Sequence, residues 1–237
     1  MRYELLEWDS QFFGLPVARI LDPAMNTEQL SDILRDLERD QVKLVYWPSW
    51  VRHDETAISK AGGYLTDKTL TFTINLKSAT LTNDTVPVPV VPYMRSTPSE
   101  TLRNLAIQSA RYSRFAIDPQ IPQAMCDSLF STWITRSIRK EIAREVLVIQ
   151  DNNTVAGFVT LGEKDGRGDI GLLAVDSKYR RQRFGTALVQ AALHWFSTHE
   201  YACCQVKTQG RNTAACRVYR KCGYSIEQSQ YLYHFWL

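Results

Sequence analysis

The 237-residue sequence lacks a long hydrophobic run and a strong excess of charge of either sign. No apolar stretch approaches the roughly 20 residues that a membrane-spanning helix needs, and residues 1–14 carry charges where a signal peptide would be apolar. The 28 basic and 25 acidic residues leave a net charge of +3, too little to indicate nucleic acid as a partner. We therefore expect a cytoplasmic protein with no membrane insertion and no nucleic-acid partner.

Cysteine is also scarce, and its spacing excludes two classes of small protein. The five cysteines are odd in number and form neither a disulfide framework nor the paired Cys-x2-Cys motifs of zinc sites. The four histidines are scattered as well. We expect reduced thiols and no metal site.

What is present is typical of a globular protein, with 44% apolar and 22% charged residues. The clearest seam is proline-rich: Pro87, Pro89, Pro92 and Pro98 favour extended backbone and remove hydrogen-bond donors. The seam predicts an α/β half-domain over residues 1–80, a linker over 81–94 and a second domain over 95–237.

Hydrophobic periodicity predicts the main elements on both sides of the seam. Before it, we predict a helix over residues 26–40 and strands over 42–47 and 70–76. After it, Thr97-Pro98-Ser99-Glu100 is a capping box with proline at the first helical position, which predicts the start of a helix. The order that follows is predicted as a helix (122–142), three strands (145–150, 155–163, 169–175), a helix (185–199), a strand (202–207), a helix (212–221) and a strand (224–236).

This order predicts an α/β fold of the α+β kind. The three consecutive strands, joined at 151–153 and 164–168 by residues typical of hairpin turns, form an antiparallel meander. A central mixed, mostly antiparallel sheet flanked by helices follows.

The segment Leu172 to Leu188, LLAVDSKYRRQRFGTAL, combines a strand, a basic loop and a helix start. The first N–H groups of a helix have no intrahelical partner, and the helix dipole attracts anions there. Arg180, Arg181 and Arg183 add charged donors that suit phosphate oxygens. The segment therefore predicts a pyrophosphate site, with a solvated charged loop as the alternative.

A second motif, NTAACRVYRKCGY, begins at Asn212. Asn212 is a good helix N-cap, and Ala215 and Tyr219 share one face of the helix that follows. Gly223 suits the left-handed residue that ends such a helix. Each residue alone also has a purely structural explanation, and Tyr219 alone could be an ordinary core aromatic.

Together these motifs resemble the coenzyme A loop and closing signature of the GNAT superfamily of N-acyltransferases. One register runs from Arg180 to Gly185 with Arg183 at a glycine position, and the other is Gln182-x-x-Gly185-x-Ala187. The resemblance implies the GNAT fold, acetyl-CoA (coenzyme A) as co-substrate and a set of cofactor-binding residues: Leu173, Ala174, Val175, Arg180, Arg181, Gln182, Arg183, Phe184, Gly185, Thr186, Asn212 and Tyr219.

The resemblance further implies that Tyr219 is the general acid that protonates the departing thiolate. A phenol with a pKa of about 10 suits an acid better than a resting base. Glu163 or a bound water could take the proton of the amine, and neither is assigned. The resemblance also implies a splayed strand, and Gly171 there is compatible with a bulge.

The front half, with Trp8-Asp9-Ser10-x-Phe12-Phe13-Gly14, is similar to that of the TDP-fucosamine acetyltransferase family. This resemblance implies a GNAT-like half-domain, a nucleotide-linked 4-amino-4,6-dideoxy sugar as acceptor, polysaccharide biosynthesis and a homodimer. Arg114, Phe115 and Phe13 are of the types that bind a diphosphate and a sugar or base, so we predict that they bind the substrate. Trp8, Phe12 and Phe13 could instead simply be a hydrophobic plug that joins the two halves, which is the interpretation we favour for each of them singly.

Two alternatives to this function remain at the level of sequence. The acceptor could be a protein N-terminus, a lysine or an aminoglycoside, although the arginines argue weakly against a cationic acceptor. The chain could also be a coenzyme A-binding module without turnover, although the retained Tyr219 argues against this.

Overall fold

The computed structural model describes residues 2–77, 89–152 and 154–237. The chain divides into two compact units. Unit 1 comprises Met1–Thr69, Arg114–Met125 and Ser229–Leu237, and unit 2 comprises Leu70–Ser113 and Cys126–Gln228.

This division differs from the predicted domain boundaries. The first boundary lies at Thr69, inside a strand, and not at residue 80, and two later segments of the chain belong to unit 1. Of the predicted linker 81–94, residues 81–88 lie outside the described residues, and Val90–Pro92 forms a strand. The prolines indicate where the backbone is locally extended, whereas the division into units depends on which strands pack together.

Unit 1 is built on a five-stranded mixed sheet in the order β1-β2-β3-β10-β4. The β2–β3 pair is parallel, and β1–β2 and β3–β10 are antiparallel. Its elements are β1 (Tyr3–Leu5), α1 (Glu7–Phe13), β2 (Val17–Ile20), α2 (Thr27–Arg39), β3 (Leu44–Ser49), α3 (Glu55–Lys60), the first part of β4 (Gly63–Asn75), α5 (Arg114–Ile117) and the last part of β10 (Ser225–Trp236).

The amphipathic helix predicted over residues 26–40 is confirmed as α2. Asn26 caps it by accepting from the Gln29 N–H, and the Gln29 side chain accepts from the Asn26 N–H in return. Its buried side chains are those of the predicted stripe: Leu30, Ile33, Leu34 and Leu37. They pack beneath the sheet with Trp47 and Tyr233.

Unit 2 contains the predicted meander within a mixed, mostly antiparallel sheet. Strand pairs β5–β6, β6–β7 and β7–β8 are antiparallel, and β8–β9 is parallel. Its elements are the last part of β4, β5 (Val90–Pro92), α4 (Glu100–Ser109), most of α6 (Gln123–Ile138), β6 (Glu145–Asp151), β7 (Thr154–Lys164), β8 (Arg167–Val175), α7 (Phe184–Thr198), β9 (Cys203–Gln209), α8 (Thr213–Lys221) and the first part of β10.

Helices cover both faces of the unit 2 sheet, as predicted. Successive side chains of a strand point to opposite faces. On β6, Leu147 and Ile149 pack in the cluster that includes α7, whereas Val146 and Val148 pack in the cluster that includes α4. The expected fold class is thereby confirmed.

Two helix ends differ from their predicted positions. The N-cap of α4 is Ser99, whose hydroxyl accepts from the Leu102 N–H, so Pro98 precedes the helix and does not open it. Helix α6 ends at Ile138 and not near 142, and Lys140 adopts a positive φ of 62°. Among the described residues, no helix is long and apolar enough to cross a bilayer.

Candidate active site

Strand β8 carries a bulge at the position of Gly171. Val159 pairs with Leu173 and Leu161 with Ile170, so two residues of β8 oppose Thr160 of β7. A Cβ atom at Gly171 would lie 2.9 Å from the Thr160 Oγ1, which explains the glycine. The bulge expected at Gly171 is confirmed.

Beyond this bulge, β8 leaves its parallel partner β9. The register runs from Gly168 opposite Cys204 to Ile170 opposite Val206 and ends there, although both strands continue. The half-buried residues Leu173, Ala174 and Val175, predicted to bind the co-substrate through their main chain, follow directly. This divergence of the two strands is the splay that the family resemblance implied.

The basic loop after β8 reverses the chain through two left-handed arginines. A single turn of 3-10 helix over Ser177–Tyr179 is followed by Arg180 in an extended conformation. Arg181 and Arg183 both have φ of 63°, a region that L-residues seldom occupy. Arg183 thus adopts the backbone of the glycine that it replaces in the first register, which favours that register over the second.

Helix α7 begins immediately after Arg183 with free backbone donors. The Arg183 side chain does not cap the helix, and the first main-chain bond runs from the Ala187 N–H to the Arg183 carbonyl. The N–H groups of Phe184, Gly185 and Thr186 donate to no group in the described chain. Together with the helix dipole, they fit the pyrophosphate of coenzyme A.

The charges of the loop are also unneutralised. Arg180, Arg181 and Arg183 are exposed, and no acidic group of the described residues lies within salt-bridge distance of them. The Arg180 Nε donates to the Val175 carbonyl at 3.3 Å, and the Gln182 side chain donates to the Lys178 carbonyl. The loop therefore presents positive charge beside the free helix donors, as an anion site requires.

An aromatic pair holds the loop in place. The rings of Tyr179 and Phe184 stack at 5.6 Å between centroids, and the Tyr179 hydroxyl donates to Asp151 at 2.8 Å. Phe184 is buried. Since this ring is covered, Phe184 can contribute its main-chain N–H to a ligand and its side chain to the core.

Helix α8 packs beside the start of α7. Asn212 caps α8 by accepting from the Ala215 N–H, and Gly223 ends it with φ of 88°. The Val218 side chain lies 3.6 Å from where a Gly185 Cβ would be. Since Tyr219 follows Val218, the packing brings the predicted acid near the predicted pyrophosphate loop.

Tyr219 itself is buried, with 4% of its surface exposed. Its ring packs against Phe72 and Tyr224, and its hydroxyl has no hydrogen-bond partner among the described residues. Burial raises the pKa of Tyr219, and the nearby Cys216, Cys222 and Asp169 add to the shift. The phenol therefore stays protonated at neutral pH, as a general acid requires.

A carboxylate that the sequence reasoning did not single out acts electrostatically on this phenol. The charge of Asp169 on β8 contributes to the raised pKa of Tyr219, after burial and the nearby cysteines. The Gln205 side chain donates to it at 3.1 Å, and burial raises the pKa of Asp169 in spite of that bond. The sequence offered one signal for Asp169, namely that it is an acidic residue within an otherwise apolar strand.

Glu163, the candidate base from the sequence, is engaged elsewhere. The Tyr201 hydroxyl donates to its carboxylate at 2.9 Å, and Arg144 lies 3.5 Å away. Its carboxylate is thus occupied by two neighbouring side chains. Asp169 is therefore the better candidate for the base.

The three predicted acceptor residues lie in unit 1, where they contact one another. The Arg114 guanidinium lies 4.3 Å from the Phe115 ring centroid and 3.7 Å from that of Tyr46. Phe13 stacks on Phe115 at 5.9 Å. Phe13 and Phe115 are both buried.

The Arg114 guanidinium is the polar group of this cluster. Burial lowers the pKa of Arg114, and the neighbouring Tyr46 and Asp9 oppose the shift. An arginine remains charged under any such shift at neutral pH. Of the three predicted residues, Arg114 is thus the one that can bind an anion.

The family described as Acetyltransferase (GNAT) matches residues 114–224. These residues belong to the GNAT family. The GNAT domain is that of an acyl-CoA-dependent N-acyltransferase, and the family uses acetyl-CoA. The described residues contain no group of three or more potential metal ligands.

Two curated proteins are similar to this chain. The dTDP-fucosamine acetyltransferase of Escherichia coli O6:H1 is 24% identical over 230 residues, which are 96% of this chain and 95% of that protein. The spore coat polysaccharide biosynthesis protein SpsD of Bacillus subtilis is 26% identical over 138 residues, or 58% of this chain. The match covers 47% of that protein, so the chain spans about half its length.

Solved structures support the GNAT fold. A conserved protein of unknown function from Staphylococcus epidermidis has a TM-score of 0.65 at 13% identity, covering 93% of this chain and 84% of that one. A tandem GNAT protein from the clavulanic acid biosynthesis pathway has a TM-score of 0.57 at 14% identity, covering 93% and 75%. At such identities the likeness concerns the fold alone.

Proposed function

We propose that this GNAT enzyme transfers the acetyl group of acetyl-CoA to the amine of a nucleotide-linked 4-amino-4,6-dideoxy sugar, such as TDP-fucosamine. The observation that carries the chemistry is the buried side chain of Tyr219, which stays protonated at neutral pH, on a helix packed against the start of α7. The sugar is supported by the similarity to a dTDP-fucosamine acetyltransferase along nearly the whole chain.

The start of α7 would bind the pyrophosphate of the co-substrate. The free N–H groups of Phe184, Gly185 and Thr186 would donate to its oxygens, and the unpaired arginines of the loop would supply charge. The main chain of Leu173, Ala174 and Val175, beyond the point where β8 leaves β9, would hold the pantetheine arm. Asn212 would act through its cap on α8, which fixes the position of Tyr219.

The reaction is a direct transfer between two bound substrates. The neutral amine attacks the thioester carbonyl carbon, a C–N bond forms and the C–S bond breaks. Tyr219 gives its proton to the departing sulfur, and the amine gives its proton to Asp169. A carboxylate whose pKa is raised is a stronger base than an ordinary one, and this favours Asp169 as the proton acceptor.

Arg114 would bind the diphosphate of the acceptor. Its planar guanidinium can donate two parallel hydrogen bonds to phosphate oxygens. The guanidinium carbon lies over the Tyr46 ring, 3.7 Å from its centroid. Phe13 and Phe115 would support Arg114 from within unit 1.

The proposal is tested by thiol release from acetyl-CoA in the presence of three kinds of acceptor. We expect turnover with TDP-4-amino-4,6-dideoxy sugars, and none above the hydrolysis background with peptides or aminoglycosides. Arg114→Ala should raise the KM for the nucleotide sugar and leave that for acetyl-CoA unchanged. Turnover with peptides or aminoglycosides alone would overturn the proposed acceptor and leave the acetyl-CoA chemistry standing.

A further inference from the structure

Asp118, in unit 1, is a point where four hydrogen bonds converge. Its Oδ2 accepts from the His234 Nδ1 at 2.6 Å and from the Trp236 Nε1 at 3.1 Å. Its Oδ1 accepts from the Gln120 N–H at 2.9 Å and from the Tyr64 hydroxyl. Only 2% of Asp118 is exposed, so the protein itself satisfies this carboxylate.

These bonds fix a short segment of chain to two strands. Tyr64 belongs to β4, and His234 and Trp236 belong to β10. The Asp118 N–H donates to the Arg114 carbonyl at 3.1 Å. The carboxylate therefore holds the turn of helix that begins with Arg114 against the sheet of unit 1.

The same carboxylate also orients the surface beneath Arg114. His234 pairs with Tyr46 across β10 and β3, and their rings lie 4.7 Å apart. The Arg114 guanidinium lies over the Tyr46 ring of this pair, 3.7 Å from its centroid. Asp118, His234, Tyr46 and Arg114 thus form a continuous series of contacts.

Because His234 is neutral and Asp118 is ionised, neither carries a positive charge that would repel the Arg114 guanidinium. Burial lowers the pKa of His234 to about 4, so the imidazole is neutral at neutral pH. Burial alone would raise the pKa of Asp118, but the hydrogen bonds from His234 and Tyr64 outweigh it and the pKa is lowered. An ionised carboxylate beside a neutral imidazole requires the proton on Nδ1, which fixes the orientation of the ring.

We propose that Asp118 is a positioning residue for the acceptor, because it holds Arg114 in the place where the guanidinium meets a nucleoside diphosphate. This inference rests on the proposed role of Arg114. A merely structural Asp118 would affect stability and all kinetic constants alike, whereas a positioning residue acts on the diphosphate alone.

The first test uses Asp118→Asn, which keeps the shape of the side chain but replaces one acceptor oxygen by a donor. We expect the Kd for dTDP and the KM for the nucleotide sugar to rise about tenfold. The KM for acetyl-CoA and kcat at saturating sugar should stay within about twofold. Equal losses in all constants would overturn the positioning role.

Ser49→Ala is the matched control. Ser49 is another fully buried polar residue of unit 1, and its hydroxyl donates to the Pro23 carbonyl. We expect this variant to lower the melting temperature without changing the dTDP affinity. If Asp118→Asn fails to fold, Tyr64→Phe removes one donor to Asp118 and should weaken dTDP binding about threefold.

A double-mutant cycle then separates the two hypotheses. If Asp118 acts through Arg114, adding Asp118→Asn to Arg114→Ala should weaken dTDP binding no further. Additive effects in the double variant would overturn the positioning role while leaving Arg114 as a diphosphate ligand. Unchanged dTDP affinity in Arg114→Ala would overturn the proposed acceptor site itself, and the positioning role with it.

Discussion

The Thr160 hydroxyl on β7 accepts the main-chain N–H of Leu172 on β8 at 2.8 Å. This side-chain bond replaces a strand-to-strand bond at the bulge, where two residues of β8 oppose Thr160. The bulge directly follows Ile170, the last residue of β8 that pairs with β9. A single hydroxyl thus satisfies the backbone at the point where the strand leaves its parallel partner.

Thr160→Val should therefore destabilise β8 at its bulge. The substitution removes the acceptor of the Leu172 N–H while keeping the shape of the side chain. A buried donor left without a partner costs about 1–3 kcal/mol. We expect the free energy of unfolding to fall by this amount in urea titrations, with a lower kcat. Thr160→Ser retains the hydroxyl and serves as the control. A Thr160→Val variant as stable and as active as Thr160→Ser would show that the bond from the Leu172 N–H contributes little.

Tyr219→Phe should lower kcat by about two to four orders of magnitude, since it removes the proton donor to the thiolate. The affinity for acetyl-CoA, measured by calorimetry, should hardly change. Tyr201→Phe is the matched control, because that hydroxyl donates to Glu163 and belongs to no part of the proposed site. Normal turnover in Tyr219→Phe would remove this residue from the acid role.

The secondary structure of unit 2 could be read from the sequence because its signals are local. The periodicity of α7, the alternating strands of the meander and the cap at Asn212 each depend on neighbours in the chain. Strand pairing then follows from short turns: Asp165 and Gly166, both with positive φ, form the tight connection between β7 and β8.

The structure of unit 1 was largely missed, because its signals are short or come from distant parts of the chain. Helix α1 has only seven residues, and its aromatic side chains look like a binding motif in the sequence. Strand β4 is much longer than the predicted 70–76, since its first half carries a mixture of polar and apolar residues. The meeting of Asp118 with His234 joins residues 116 positions apart and has no local signature.

The candidate site shows the same limit. The motif identified the loop and Tyr219, whereas Asp169 gains its raised pKa only from burial in the folded chain. The left-handed backbone of Arg183 also depends on the turn around it. The only indication in the sequence was that Arg183 stands where the family motif has a glycine.

Asp169→Asn should lower kcat and stabilise the protein at neutral pH. Because burial raises the pKa of Asp169, the charged form costs stability in the folded state. The gain from the substitution should be full above the raised pKa and should disappear as the pH falls through it towards the ordinary value of 3.8. Denaturant titrations between about pH 3 and 8 measure this difference. A gain that persists below pH 3.8 would exclude the ionisation as its cause.

Asn212→Ala should destabilise the protein by about 1 kcal/mol, because the cap of α8 is lost. Asn212→Asp keeps an oxygen that can accept from the Ala215 N–H and should retain most of the stability. Thermal melting of the two variants measures the contrast. If Asn212→Ala instead weakens acetyl-CoA binding with no loss of stability, the residue contacts the co-substrate directly.

The left-handed conformation of Arg183 leads to a comparison of two variants that both remove its charge. Arg183→Gly relieves the backbone strain, whereas Arg183→Ala keeps a Cβ atom at φ of 63°. We expect the glycine variant to be more stable than the alanine variant by about 1 kcal/mol in denaturant titrations. Both should bind acetyl-CoA more weakly than the parent and to a similar degree, because each loses one guanidinium beside the free N–H groups of α7. Equal stability of the two would mean that the turn relaxes in solution, and the free donors of α7 would then not be held in place for a pyrophosphate.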